Sequence, residues 1–198
     1  WKQATAINGN DVEYLYNLGL LHYERKLYSE SMQFLEKTIT LCPIHNKSHL
    51  ALGINHVKMR NFDKAAQHVS ESIRLQKNNV LAYLNMGAIH SVKKRFNEAI
   101  EMFNKTIQLS PRESRAYLGM AKIYVQLEDT EAANSYFRKV IELSPNTSIA
   151  EFAEQSMSRS DAVSAAPVSQ DQRIENLTKG IGYSLGSNYP LAVDHYKA

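Results

Sequence analysis

Seven histidines and one cysteine are the residues of this chain best suited to chemistry, because imidazoles and thiolates bind metals, move protons and attack electrophiles near neutral pH. His22, His56 and His90 recur at intervals of 34 residues. Zinc needs its imidazole nitrogens about 2 Å away, whereas equivalent positions on successive packed helices lie roughly 10 Å apart, so these three cannot share one ion. Packing or polar-edge roles fit them better. His45 and His49 have the spacing of one helical face, but Pro43 and a turn over residues 44–47 interrupt any helix that would join them. Cys42 ends a helical pattern just before Pro43, where the helix dipole opposes a thiolate, and a lone cysteine makes neither an internal disulfide nor a zinc cluster. Gly180, Gly182 and Gly186 lack the preceding strand and the lysine of a phosphate loop. No catalytic residue is assigned, no metal site or cofactor is expected, and the chain does not read as an enzyme.

The elements that carry these residues follow from composition and period. Of the 198 residues 43% are hydrophobic and only 8 are Gly and 5 Pro, which favours helices over a turn-rich sheet fold. Charged residues make up 22% and the net charge is +3, too balanced to announce nucleic acid or a membrane surface. No apolar run long enough to span a membrane is present. The period of 34 extends well beyond histidine. Gly19, Gly53, Gly87 and Ala121 keep it, as do Ser31, Ala65, Ala99 and Ala133, and Leu35, Val69, Phe103 and Phe137. Inside each unit the apolar spacing is helical, as in Ala99, Ile100, Phe103 and Ile107, and Pro43, Pro111 and Pro145 close three units, with Lys77 in the remaining one. Each unit therefore reads as two helices.

Tyr83, Met86-Gly87, Phe96, Ala99, Phe103 and Pro111 in the unit 80–113 match the signature of the tetratricopeptide repeat, and the chain resembles that family. The resemblance implies an all-α, right-handed solenoid of antiparallel helix hairpins, with four full repeats at 12–45, 46–79, 80–113 and 114–147. Residues 1–11 read as the second-helix tail of a preceding repeat and 148–157 as an extra capping helix. A flexible linker is expected over 158–172 and a partial repeat over 173–198, so that the natural protein continues in both directions. Ser31, Lys77 and Thr130 depart from the signature at a small, a proline and an aromatic position.

The same resemblance places a peptide-binding groove on the first helices. Its positions are Glu13, Tyr16, Asn17, Leu20, Lys47, Leu50, Ala51, Ile54, Leu81, Leu84, Asn85, Ala88, Arg115, Leu118, Gly119 and Lys122. Only Asn85 and Arg115 match the carboxylate clamp that one subclass uses on chaperone tails, which disfavours that ligand. Asn17 and Asn85 are either rungs of a broken asparagine ladder or solvated groove residues. Lys26, Lys58, Arg60, Lys93, Lys94 and Arg95 fall in the inter-helix turns, so a basic edge is expected, serving solubility or an acidic partner, with nucleic acid disfavoured. The function expected is a non-catalytic, cytoplasmic protein-binding scaffold that assembles a complex. A regulatory or substrate-selecting arm of a larger enzyme, such as a glycosyltransferase, and a subunit of a trafficking or ciliary coat remain open. Self-association through exposed repeat ends is a further expectation.

Overall fold

The computed structural model describes residues 11–160. Expectations for 1–10 and 161–198, including the N-terminal tail, most of the linker and the last partial repeat, lie outside them. Among the described residues there are nine α-helices: α1 (Val12–Glu24), α2 (Tyr28–Leu41), α3 (Asn46–Lys58), α4 (Phe62–Leu75), α5 (Val80–Val92), α6 (Phe96–Leu109), α7 (Ser114–Gln126), α8 (Thr130–Leu143) and α9 (Ser148–Ser160). The fold class is all-α, an array of helix hairpins of the solenoid kind. The described residues fall into two compact units, 11–82 and 83–160.

In the first unit α1 pairs with α2 and α3 with α4, and α3 also packs on α2 and α1. Hemmed in by three helices, α3 is buried at every position from Ser48 to Val57. Local chemistry starts each helix. The Asp11 carboxylate accepts from the Tyr14 amide at 3.1 Å at the head of α1, and His45 Nδ1 accepts from the Ser48 amide at 3.3 Å at the head of α3. Where Lys77 replaces proline, amides of asparagine organise the turn: Asn46 Nδ2 donates to the Ser72 carbonyl at 2.6 Å, and Asn79 Nδ2 donates to Asn46 Oδ1 at 3.1 Å. Asn79 also caps α5 by accepting from the Ala82 amide at 3.2 Å. Ser31, at a position that favours a small apolar residue, buries its hydroxyl against Gly19 and donates to the Gly19 carbonyl at 2.7 Å, so no polar atom is left unmet.

The second unit packs α7 against α6, α8 and α9, and α8 against α9. Its core runs through Leu118, Ala121, Ala133, Phe137, Val140 and Ala153. The small residues of the period are steric necessities. A Cβ on Gly87 would lie 2.7 Å from the Phe103 ring, and one on Gly119 would lie 2.4 Å from the tip of the same ring. Phe103 is thus gripped between a glycine of its own hairpin and a glycine of the next. The last helix runs to Ser160, three residues past the expected boundary, and the Ser158 hydroxyl within it donates to the Glu154 carbonyl at 3.0 Å.

The turns inside the hairpins share one backbone device. Lys26, Arg60, Lys94 and Glu128 all adopt left-handed φ values, between 58° and 62°. In the first turn the Lys26 amide donates to Tyr23 O at 2.8 Å and the Leu27 amide to His22 O at 2.9 Å, the paired bonds that close a helix on a left-handed residue. The later turns repeat it, with Arg60 and Asn61, Lys94 and Arg95, and Glu128 and Asp129 as donors.

Candidate functional site

The groove positions separate sharply by exposure. In the first unit Tyr16, Leu20, Leu50, Ala51 and Ile54 are buried, and Tyr16, Leu20 and Ala51 join Leu35 and Leu52 in one core cluster. Glu13 and Lys47 are exposed, and Asn17 and Leu81 are half-buried. Tyr16 meets the His45 ring edge-on, with centroids 5.1 Å apart, and Glu13 Oε1 lies 3.5 Å from His45 Nε2. The apolar positions read as a groove floor are therefore interior, and the polar ones at the ends of α1 and α3 are what solvent reaches.

In the second unit Leu84, Asn85 and Leu118 are buried, while Ala88, Arg115 and Lys122 are half-buried. Burial of Asn85 argues against a merely solvated side chain. Arg115 is held in its own turn by a two-pronged ion pair to Glu113, with Nε to Oε1 and the second nitrogen to Oε2 both at 2.6 Å. Its guanidinium is thereby committed to Glu113, and a carboxylate clamp gains no support. Gly119 serves Phe103, so it is a packing position. Lys122 differs from both. Its Nζ sits 4.6 Å over the centroid of the Phe152 ring, and desolvation pushes its pKa down to about 8.

The basic turn residues divide in the same way. Lys26, Arg60, Lys94 and Arg95 are exposed, and Lys58 and Lys93 are half-buried. Burial, and then repulsion from Lys26, lowers the pKa of Lys58, which means that two cations of the first unit feel each other across adjacent repeats.

Two of the three periodic histidines, His22 and His56, pack against a ring twelve positions on. His22 meets the Phe34 ring at 4.8 Å, His56 meets His68 at 5.4 Å, and Tyr124, at the same position of the fourth repeat, meets Tyr136 at 5.4 Å. His68 stands outside the 34-residue histidine period, and its spacing of twelve from His56 is the sequence signal that marks it. His49, on α3, also faces His68, with centroids 5.8 Å apart. Nδ1 of His49 and Nδ1 of His56 are buried with no hydrogen-bond partner. Burial pushes His68 down to about 4, with help from His56, His49 and Lys64, and burial and Lys64 also lower His56 against a small opposing pull from Glu36. His49 Nε2 is engaged with the Pro43 carbonyl at 3.0 Å and His45 Nδ1 with Ser48 Oγ at 2.7 Å, so each ring is tied to its own turn. Among the described residues no group of three or more His, Cys, Asp or Glu is placed to hold a metal ion, and no helix is long and apolar enough to cross a membrane.

Two family models, each described as the tetratricopeptide repeat, match residues 12–42 and 79–146, together half of the chain. No curated protein sequence matches it. Among solved structures, MamA is 25% identical with a TM-score of 0.66, over 72% of this chain and 83% of that one. PilF of Pseudomonas aeruginosa is 23% identical with a TM-score of 0.65, over 78% of this chain and 71% of its own. The TPR domain of OM64 from Arabidopsis is 21% identical with a TM-score of 0.57, over 58% of this chain and 95% of that domain.

Proposed function

The chain belongs to the tetratricopeptide repeat family and is a protein-interaction repeat domain, and from that premise we propose that it is a non-catalytic scaffold that holds a protein partner on the first-helix face. The observation that carries the reading is the pair Ala88 and Lys122 in the second unit, two first-helix positions left partly accessible while Leu84, Asn85 and Leu118 are buried. A surface built on packed helices is already ordered, so a partner meets it with little loss of side-chain or backbone freedom. In the first unit Glu13, Asn17 and Lys47 supply the corresponding polar positions. Lys26, Lys58, Arg60, Lys93, Lys94 and Arg95 supply positive charge in the turns and favour an acidic partner over a basic one.

The test is recovery of the same partner by the wild-type chain and by an Ala88→Arg variant, followed by titration of that partner against both. An affinity loss of about tenfold or more, with an unchanged helical spectrum, supports the first-helix face. Equal affinity in a folded Ala88→Arg chain refutes it.

A further inference from the structure

Lys122 and Phe152 come from successive repeats and meet at one point of the second unit. Lys122 lies on α7 and Phe152 on α9, and the ammonium stands over the ring face at 4.6 Å. Phe152 is 39% exposed, a large hydrophobic ring in partial contact with solvent. Lys122 is half-buried, and among the described residues no carboxylate lies within ion-pairing distance of it. Glu98 and Glu101 on α6, Glu131 and Glu142 on α8, and Glu151 and Glu154 on α9 contribute nothing to its titration, which desolvation alone shifts. The neighbouring cation of the same helix, Arg115, is already neutralised by Glu113. The helix therefore presents one uncompensated, partly desolvated positive charge beside one exposed aromatic surface. A desolvated cation held only by a ring face gains more from an anion than a hydrated surface lysine does, because most of its dehydration cost is already spent.

We infer that Lys122 and Phe152 form an anchor for an acidic peptide segment of the partner, in which a Glu or Asp side-chain carboxylate pairs with Lys122 and the apolar residue next to it covers the Phe152 ring. The inference rests on the reading that the first-helix face of this unit takes a protein partner. A single ammonium suits a side-chain carboxylate within a peptide, since the backbone N–H groups inside α7 and α9 are spent on their own helices and offer no further donors to a chain terminus. The pairing raises the lysine's affinity for its proton. Binding is therefore strongest below pH 8, and it weakens as Lys122 deprotonates above that value.

The experiment presents the full chain with an array of N-acetylated, C-terminally amidated peptides whose central residue is Glu, Gln or Lys and whose flanks are Leu, Phe, Ala or Ser. The expected result is capture of Glu-centred peptides with apolar flanks at about tenfold or more over their Gln counterparts, an advantage lost in Lys122→Met and kept in Lys122→Arg. Phe152→Ser should remove the preference for apolar flanks alone. Between pH 8 and pH 10 the Glu advantage should fade in the wild type and persist in Lys122→Arg. Equal capture of Glu and Gln peptides, or a Glu preference that survives Lys122→Met, overturns the anchor and leaves the face as a peptide site. Capture that ignores Lys122→Met, Phe152→Ser and Ala88→Arg together, or no capture at all, overturns the anchor and withdraws support from the face as well. Circular dichroism of each variant establishes that it is folded.

Discussion

The imidazole of His68 stacks on that of His56, centroids 5.4 Å apart and planes inclined by 13°. In two other hairpins the corresponding pair is His22 with Phe34 and Tyr124 with Tyr136, so a ring contact is the common architecture and the histidine pair its titratable version. Both members are held neutral by burial, and His68 titrates at about 4 against 6.5 for a free histidine. In the unfolded chain the same side chain binds its proton near pH 6.5, so unfolding takes up protons at lower pH. The neutral stack therefore contributes fully above pH 6.5, and that contribution drains away as pH falls towards 4. In thermal melts at a series of pH values the difference between the wild type and His68→Phe should be constant above pH 6.5 and shift in favour of the variant between pH 6.5 and pH 4. Parallel melting curves would show that His68 does not govern the acid response.

Phe103 supplies a second prediction. Gly119→Ala drives a methyl into the Phe103 ring, where the contact would be 2.4 Å, and should cost about 1–3 kcal/mol of stability in chemical unfolding. Combining it with Phe103→Leu, which frees part of that volume, should recover some of the loss. Additive costs in the double variant would contradict direct steric coupling between the two positions.

A third concerns the turns. Residues with a Cβ pay for the left-handed conformation that Lys26, Arg60 and Lys94 adopt, so glycine at each should raise stability by about 0.5–1 kcal/mol. The same substitutions remove charge from the turns proposed to steer an acidic partner. The expected pattern is a more stable chain with a slower association rate, the rate difference shrinking as salt rises past about 0.15 M. A more stable chain whose association rate is unchanged at low salt would reduce these residues to solubility features.

Much of this architecture could be read from the period. Gly19, Gly53 and Gly87 marked where backbones approach, and Leu35, Val69 and Phe103 marked the side chains that fill the space beside them, because close packing leaves no room for a Cβ where these apolar side chains press. Exposure could not be read in the same way. Leu50 and Ile54 occupy groove positions in the repeat frame, yet α3 is enclosed by α1, α2 and α4, and enclosure depends on neighbours that a single repeat does not encode. Gly119 looked like an open groove position until the ring of Phe103, from the preceding hairpin, was seen against it. The Lys122 and Phe152 contact joins residues thirty apart; the repeat frame placed Lys122 at a groove position, but nothing in the sequence pairs it with Phe152. His68 was legible in principle through its twelve-residue offset from His56, but the offset acquires meaning only once the helices of a hairpin are laid against each other.

Site-specific photocrosslinking shows most directly whether a partner binds on the first helices. Benzoylphenylalanine is placed singly at Glu13, Lys47 and Ala88 on first helices and at the exposed positions Gln67 and Asn104 on second helices. Covalent adducts to one common partner are expected from Glu13, Lys47 and Ala88, with Gln67 and Asn104 silent. Adducts from Gln67 and Asn104 alone would contradict first-helix binding and move recognition to the second-helix surface.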